Sequence, residues 1–142
     1  MAIRRFSGGV TAARCARRAV REELNDALPK RRLADVELLV SELATNSVRH
    51  AGRGEGDELS LEAAVEPDLV RVCLSDAGDG FEPHTPRPPP NGTSGGYGLV
   101  LLDRLSDRWG VRREGGFSVW FEVQRDRLPF GADDRRPRAR PA

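Results

Sequence analysis

An α+β layered sandwich, with helices on one face of a mixed, mostly antiparallel sheet, is the fold this sequence predicts. Three observations predict it. The first 50 residues repeat apolar side chains at helical spacing. Later stretches alternate apolar and polar residues, and successive ones are joined by tight turns, as in hairpins. Finally, 142 residues with 38% hydrophobic and 32% charged side chains suit one domain with one core.

Taken in order, Ile3 to Phe6 reads as a short edge strand. Thr11 is placed to cap a helix running to about Ala27, with Ala12, Cys15, Ala16, Ala19, Val20 and Leu24 as its apolar stripe. Arg14, Arg17, Arg18 and Arg21 fall on its other face, either as a solvated face or as a surface for a partner. Pro29 ends this helix, and Lys30 to Arg32 form a basic connection. A second helix is expected from about Leu33 to His50. Val36, Leu39, Val40, Leu43, Ser47 and Ala51 lie on its core side, while Glu42, Asn46, Arg49 and His50 share an adjoining ridge.

Gly52 to Asp57 is a loop by its glycines, and Glu58 to Val65 alternates as a half-buried strand with Leu59, Leu61, Ala63 and Val65 inward. Glu66 to Asp68 makes a turn, and Leu69 to Ser75 returns as the partner strand, with Val70, Val72 and Leu74 on one face. Glu82 to Gly96 holds five prolines and three glycines and almost nothing able to pack, so a mobile loop is expected there. Leu99 to Leu105 reads as a short apolar helix with Asp103 and Arg104 outward. Trp109 to Arg113 and Phe117 to Val123 form the last hairpin, with Phe117, Val119, Phe121 and Val123 on one face. From about Arg125 the chain turns polar, and Ala132 to Ala142 reads as a disordered tail.

Composition also excludes some functions. A net charge of +1 provides no global field for nucleic acid or an anionic membrane. No apolar run approaches the roughly 20 residues that span a bilayer, and MAIRRFSGGV lacks the apolar block of a signal peptide, so a cytoplasmic protein is expected. Cys15 and Cys73 fit no metal spacing and read as two buried thiols.

Three stretches can carry chemistry. On the second helix, a carboxylate, an amide, a guanidinium and an imidazole line a ridge flush against an apolar stripe; a wet site at the edge of a core and a plain solvated face both fit. Asp76-Ala-Gly-Asp-Gly80 follows a buried strand, where its glycines let backbone approach a flat or charged ligand and Asp76 can accept hydrogen bonds. Gly95-Gly96-Tyr97-Gly98 opens a helix whose unpaired N–H groups suit phosphate, and Thr93 and Ser94 add hydroxyl donors. No Gly-Lys-Ser/Thr follows, so this is not a Walker loop, and the dinucleotide fingerprint is missing too.

In this order the stretches resemble the GHKL ATPases, which share the Bergerat nucleotide fold. Glu42-Leu-Ala-Thr-Asn46 is similar to that superfamily's N box, Asp76-Ala-Gly-Asp-Gly80 to its G1 box, and Gly96-Tyr97-Gly98-Leu99 to its G2 box. The resemblance runs from about Phe6 to Val123. The length and the wording SELATNSVRHA are most similar to the small anti-sigma factor serine-protein kinases. The resemblance implies an ATP-binding domain over residues 1–125 followed by the polar tail, 126–142. It implies ATP and Mg²⁺ as cofactors, with Asn46 as the metal ligand and Glu42 as the general base. Asp76 would accept from the adenine amino group, Gly78 and Gly80 would make room for the ring, and Thr93, Ser94, Gly95, Gly96, Tyr97, Gly98 and Leu99 would wrap the phosphates. Arg49 and His50 would face phosphate or a partner. The implied partners are a sigma factor and a small anti-anti-sigma antagonist, with a homodimer expected and no direct contact to nucleic acid or membrane. The competing expectation is a non-catalytic binding module in which ATP only shapes a surface for a transcription partner. A third is a globular domain that binds no nucleotide.

Overall fold

The structure is a computed structural model that describes residues 2–50, 58–76, 98–112 and 117–125, with only the backbone described at 49, 50, 98 and 99. The elements are β1 (Ala2–Ser7), α1 (Ala12–Leu24), α2 (Lys30–His50), β2 (Glu58–Val65), β3 (Leu69–Asp76), α3 (Gly98–Leu105), β4 (Arg108–Arg112) and β5 (Phe117–Gln124). The strands form one five-stranded sheet in the order β1-β2-β3-β5-β4. Every pairing among them is antiparallel, the limiting case of the mostly antiparallel sheet expected.

Alternation decides which face of the sheet is covered. Leu59, Leu61 and Ala63 of β2, Val70, Val72 and Leu74 of β3, and Phe117, Val119, Phe121 and Val123 of β5 are all buried. They point to one side because successive strand side chains alternate. Against them pack Ala16, Val20 and Leu24 of α1, Val36, Leu39, Val40 and Leu43 of α2, and Leu102 of α3, in a single core. Most of the stability comes from this burial, at about 25 cal/mol per Å² of apolar surface removed from water. Val65, expected inward, is 49% exposed because it ends its strand at the Glu66 turn.

The opposite face bears Glu62, Cys73, Trp120 and Gly110 in one cross-strand row. Gly110 permits the Trp120 ring to lie over β4, since an added Cβ would sit 2.8 Å from it. Arg108 and Arg112 stand 5.9 and 6.0 Å from that ring's centroid. Cys73 and Cys15 are half-buried rather than buried. Cys73 falls short of burial because its strand parity turns it to this uncovered face.

Several helix boundaries differ from the expectation. Thr11 stands at the N-cap of α1, but its side chain makes no capping bond. Entry to α1 instead uses a turn in which Ala12 N–H donates to the Gly9 carbonyl at 3.1 Å. Gly9 takes φ 119°, a conformation open to glycine and strained for other residues. The helix stops at Leu24, whose carbonyl then accepts from both Ala27 and Leu28 in a closing turn. Lys30 to Arg32 are helical, not a connection, because the Pro29 carbonyl accepts the first intrahelical bond, from Leu33 N–H at 2.9 Å. A proline just outside the first turn loses nothing there, since that turn's N–H groups have no intrahelical partner.

Buried polar pairs hold the far end of the sheet to the helices. Arg32, 8% exposed, reaches Asp35 at 3.4 Å and Asp107 at 3.2 Å. Asp107 also accepts from the Gln124 N–H at 2.7 Å. At the end of β5, Arg125 donates to the carbonyls of Ala27, Glu66 and Pro67, joining the turn after α1 to the β2–β3 turn.

Candidate functional site

The site lies at the other end of α2, where it crosses the end of β3. Leu39, Val40, Leu43 and Ala44 bury one side of this helix completely or nearly so. That rotation leaves Glu42 half-buried and brings Asn46 into the protein, 3% exposed. The ridge read from the sequence is therefore not evenly wet: Asn46 sits within the core's edge and Glu42 borders solvent.

Two side chains here have unused capacity. The Asn46 Oδ1 atom is buried and has no hydrogen-bond partner among the described residues. Leaving a buried acceptor unpaired costs on the order of 1–3 kcal/mol, so an unpaired one in a folded protein calls for a ligand, an ion or water. An amide oxygen is a hard neutral donor of the kind Mg²⁺ takes, so the site fits that ion. One helical turn earlier, the Glu42 carboxylate has no ion pair or hydrogen bond among the described residues. A partly exposed carboxylate has the chemistry of a general base.

Asp76 closes β3 and is 9% exposed. The Ser47 hydroxyl donates to its Oδ2 at 2.7 Å, across from helix to strand. The two polar side chains share a cavity of about 10 Å³ with Leu43, Leu74, Phe117 and Val119. A cavity of this size has room for about one water beside the Ser47–Asp76 pair.

The structure thus joins Asp76 to Ser47, the residue after Asn46, with Glu42 one helical turn before Asn46 on the same helix. Arg49 and His50 continue the same helix in the final turn of α2, and Gly98 and Leu99 open α3, with side-chain placement outside the described residues at all four. Gly78, Gly80, Thr93, Ser94, Gly95, Gly96 and Tyr97 lie outside the described residues altogether, as do the expected loop from Glu82 to Gly96 and the tail from 126. No group of three or more His, Cys, Asp or Glu that could hold a metal occurs among the described residues, so a metal here depends on mixed donors such as the Asn46 amide.

Ser47 is the residue that sequence reasoning assigned to packing alone. Its signal was a hydroxyl within an apolar stripe, directly after Asn46. The arginines of α1 divide in two. Arg17 donates to Ser41 at 2.8 Å and Arg21 pairs with Glu37 at 2.6 Å, both bracing α1 against α2. Arg14 and Arg18 are exposed beside a depression of about 460 Å³ that all four arginines and Cys15 line.

A helix-backed antiparallel sheet thus carries these groups at one end of its strands. Residues 6–122 match the histidine kinase-like ATPase domain, and the chain belongs to that family. It is 34% identical over 98 residues to the serine-protein kinase RsbW of Bacillus velezensis, covering 61% of each chain. It is 35% identical over 98 residues to the serine-protein kinase RsbW of Listeria monocytogenes, covering 61% of this chain and 62% of that one. With the protein of the same name from Bacillus licheniformis the identity is 30% over 99 residues. The match spans about three fifths of the length of these curated relatives. Among the described residues, no helix is long and apolar enough to cross a membrane.

Proposed function

We propose that this protein is an ATP-dependent serine-protein kinase that phosphorylates a small antagonist protein and sequesters a sigma factor. The observation that carries the reading is the buried Asn46 Oδ1, unpartnered among the described residues, one helical turn from a Glu42 carboxylate that makes no ion pair among them. The relatives' printed name, serine-protein kinase, supports the same reaction.

In this reading Asn46 holds Mg²⁺ through its amide oxygen, and Asp76 accepts from the adenine amino group. When bound, ATP with its metal supplies an electrophilic γ-phosphoryl group. The remaining work falls to this chain. Glu42 accepts the proton of a protein serine hydroxyl, which makes that oxygen the nucleophile. Leu43, Leu74, Phe117 and Val119 keep water away from the base-binding edge. The arginine face of α1 is a basic surface that an acidic partner would meet.

The test is a pull-down of partners with and without ATP, followed by a phosphoserine assay on whatever is retained. Wild-type protein should label a retained small protein, and Glu42→Ala should hold it without labelling it. Regulation that survives Glu42→Ala would make the protein an ATP-shaped binding module instead. Failure to bind ATP with Mg²⁺ in calorimetry would end the nucleotide reading.

A further inference from the structure

Arginines gather on one face of α1 without a matching set of acids beside them. Arg14, Arg17, Arg18 and Arg21 recur at i, i+3, i+4 and i+7, so each has another as its neighbour along the helix. Like charges at that spacing destabilise a helix. Elsewhere carboxylates meet Arg4 through Glu22 and Glu23, Arg32 through Asp35 and Asp107, and Arg71 through Glu122. On this face the match is partial. Arg21 pairs with Glu37 at 2.6 Å, while the exposed Arg18 stands 3.6 Å from Glu22. The half-buried Arg17 donates to the neutral Ser41 hydroxyl, and neither it nor Arg14 pairs with a carboxylate among the described residues. With Cys15 these side chains line a depression of about 460 Å³, and no carboxylate stands among the described residues of its wall.

From this we propose that the α1 face binds a small linear polyphosphate, a chain of two or three linked phosphates. The site shares no lining residue with the cavity beside Asp76. Its volume suits such a ligand, since small-molecule pockets hold about 300–1,000 Å³. The donors favour phosphate over carboxylate. A guanidinium is a planar fork that takes two oxygens at once. A terminal phosphate offers three oxygens in a tetrahedral spread, so several forks can hold it, whereas a planar carboxylate offers two. Arg14 to Arg21 spans about 10 Å of helix, longer than one phosphate and suited to a linked pair or triplet. A seated polyanion also offsets the repulsion among the guanidiniums. The site does not depend on the kinase reading. Within that reading a bound polyphosphate covers the surface that an acidic partner would meet, and so competes with it.

The experiment titrates inorganic triphosphate into the full chain by calorimetry, at about 0.15 M salt and with divalent metal chelated. Wild-type protein should bind it. The double variant Arg14→Gln, Arg18→Gln removes two exposed forks and should raise the dissociation constant at least about tenfold, as loss of hydrogen bonds to a charged group implies. Its melting temperature should stay near wild type. Thiol alkylation read by mass spectrometry locates the anion: triphosphate should slow the reaction at Cys15 and leave Cys73, on the sheet, unchanged. Metal-free ATP run in parallel tells a free polyphosphate from the tail of a nucleotide, and shielding of Cys15 by either supports the site. Absence of binding, binding that the double variant keeps, or an unshielded Cys15 overturns the proposal. Citrate or a glutamate-rich peptide that binds the arginines more tightly than triphosphate overturns it as well, in favour of a protein partner. A chain that shields Cys15 with triphosphate yet binds no ATP with Mg²⁺ keeps this site and loses the ATP reading alone.

Discussion

The two ends of α2 make opposite use of buried polar groups. At its start, Arg32 is buried between Asp35 and Asp107, and Asp107 in turn receives a backbone N–H from β5. At its other end, among the described residues, Asn46 keeps a buried oxygen unpartnered and the Glu42 carboxylate makes no ion pair. One helix thus carries a charged clamp and, about four turns on, an amide acceptor unpartnered among the described residues. Charges that meet one another inside the protein hold elements together, whereas polar atoms left unmatched are available for something else. What distinguishes the two ends is charge pairing at the start and an unpartnered amide acceptor, Asn46 Oδ1, near the finish among the described residues.

That contrast is open to attack at both ends, beginning with the largest expected effect. Replacing Glu42 by Ala should slow phosphoryl transfer about 10²- to 10⁴-fold, the usual contribution of a general base. ATP affinity and melting temperature should stay near wild type; a large fall in stability would place Glu42 with the clamp instead. Arg32→Ala should do the reverse, costing about 1–3 kcal/mol in chemical denaturation, because it leaves the half-buried Asp35 and Asp107 without their shared buried cation. ATP affinity of the folded fraction should hardly change. If it fell in step with stability, the two ends would be coupled.

Asn46→Ala comes next. It removes an atom that the described residues do not satisfy, so the stability change should stay under about 1 kcal/mol. The Mg²⁺-dependent part of ATP affinity should fall at least about 100-fold, as loss of a ligand should cost no less than loss of its supporting shell. Calorimetry with and without the metal separates these effects. The smallest expected effect lies away from both ends, on the uncovered face of the sheet. Burial raises the Cys73 thiol pKa above its ordinary value of 9.0, partly offset by the Ser75 hydroxyl. The folded chain therefore keeps a proton that the unfolded chain releases, and this contribution is complete below about pH 9 and lost as pH rises further. Cys73→Ala should flatten the alkaline fall in stability without changing nucleotide affinity. An unchanged alkaline slope would show that other groups set it.

Much of this architecture was legible because hydrophobic periodicity is a local property. The alternation of Leu59, Leu61 and Ala63, and of Phe117 through Val123, names the covered face of the sheet without any knowledge of partners. Helix ends were harder, since termination depends on where backbone groups find partners. Thr11 looks like a cap and makes no capping bond, while Pro29 looks like a stop and its carbonyl starts α2. Cys73 was expected to be buried from its apolar neighbours, but parity alone does not reveal that one sheet face stays uncovered.

The site divides in the same way. The residue types and spacings in Glu42-Leu-Ala-Thr-Asn46 and Asp76-Ala-Gly-Asp-Gly80 were enough to mark candidate chemistry, because donor and acceptor identity belongs to each side chain alone. Only the tertiary structure decided that Asn46 goes inward while Glu42 stays at the rim, and that Ser47 meets Asp76 across 29 positions of sequence. Whether a polar atom is matched depends on what the fold brings within about 3 Å of it, a distance no sequence spacing specifies between a helix and a strand.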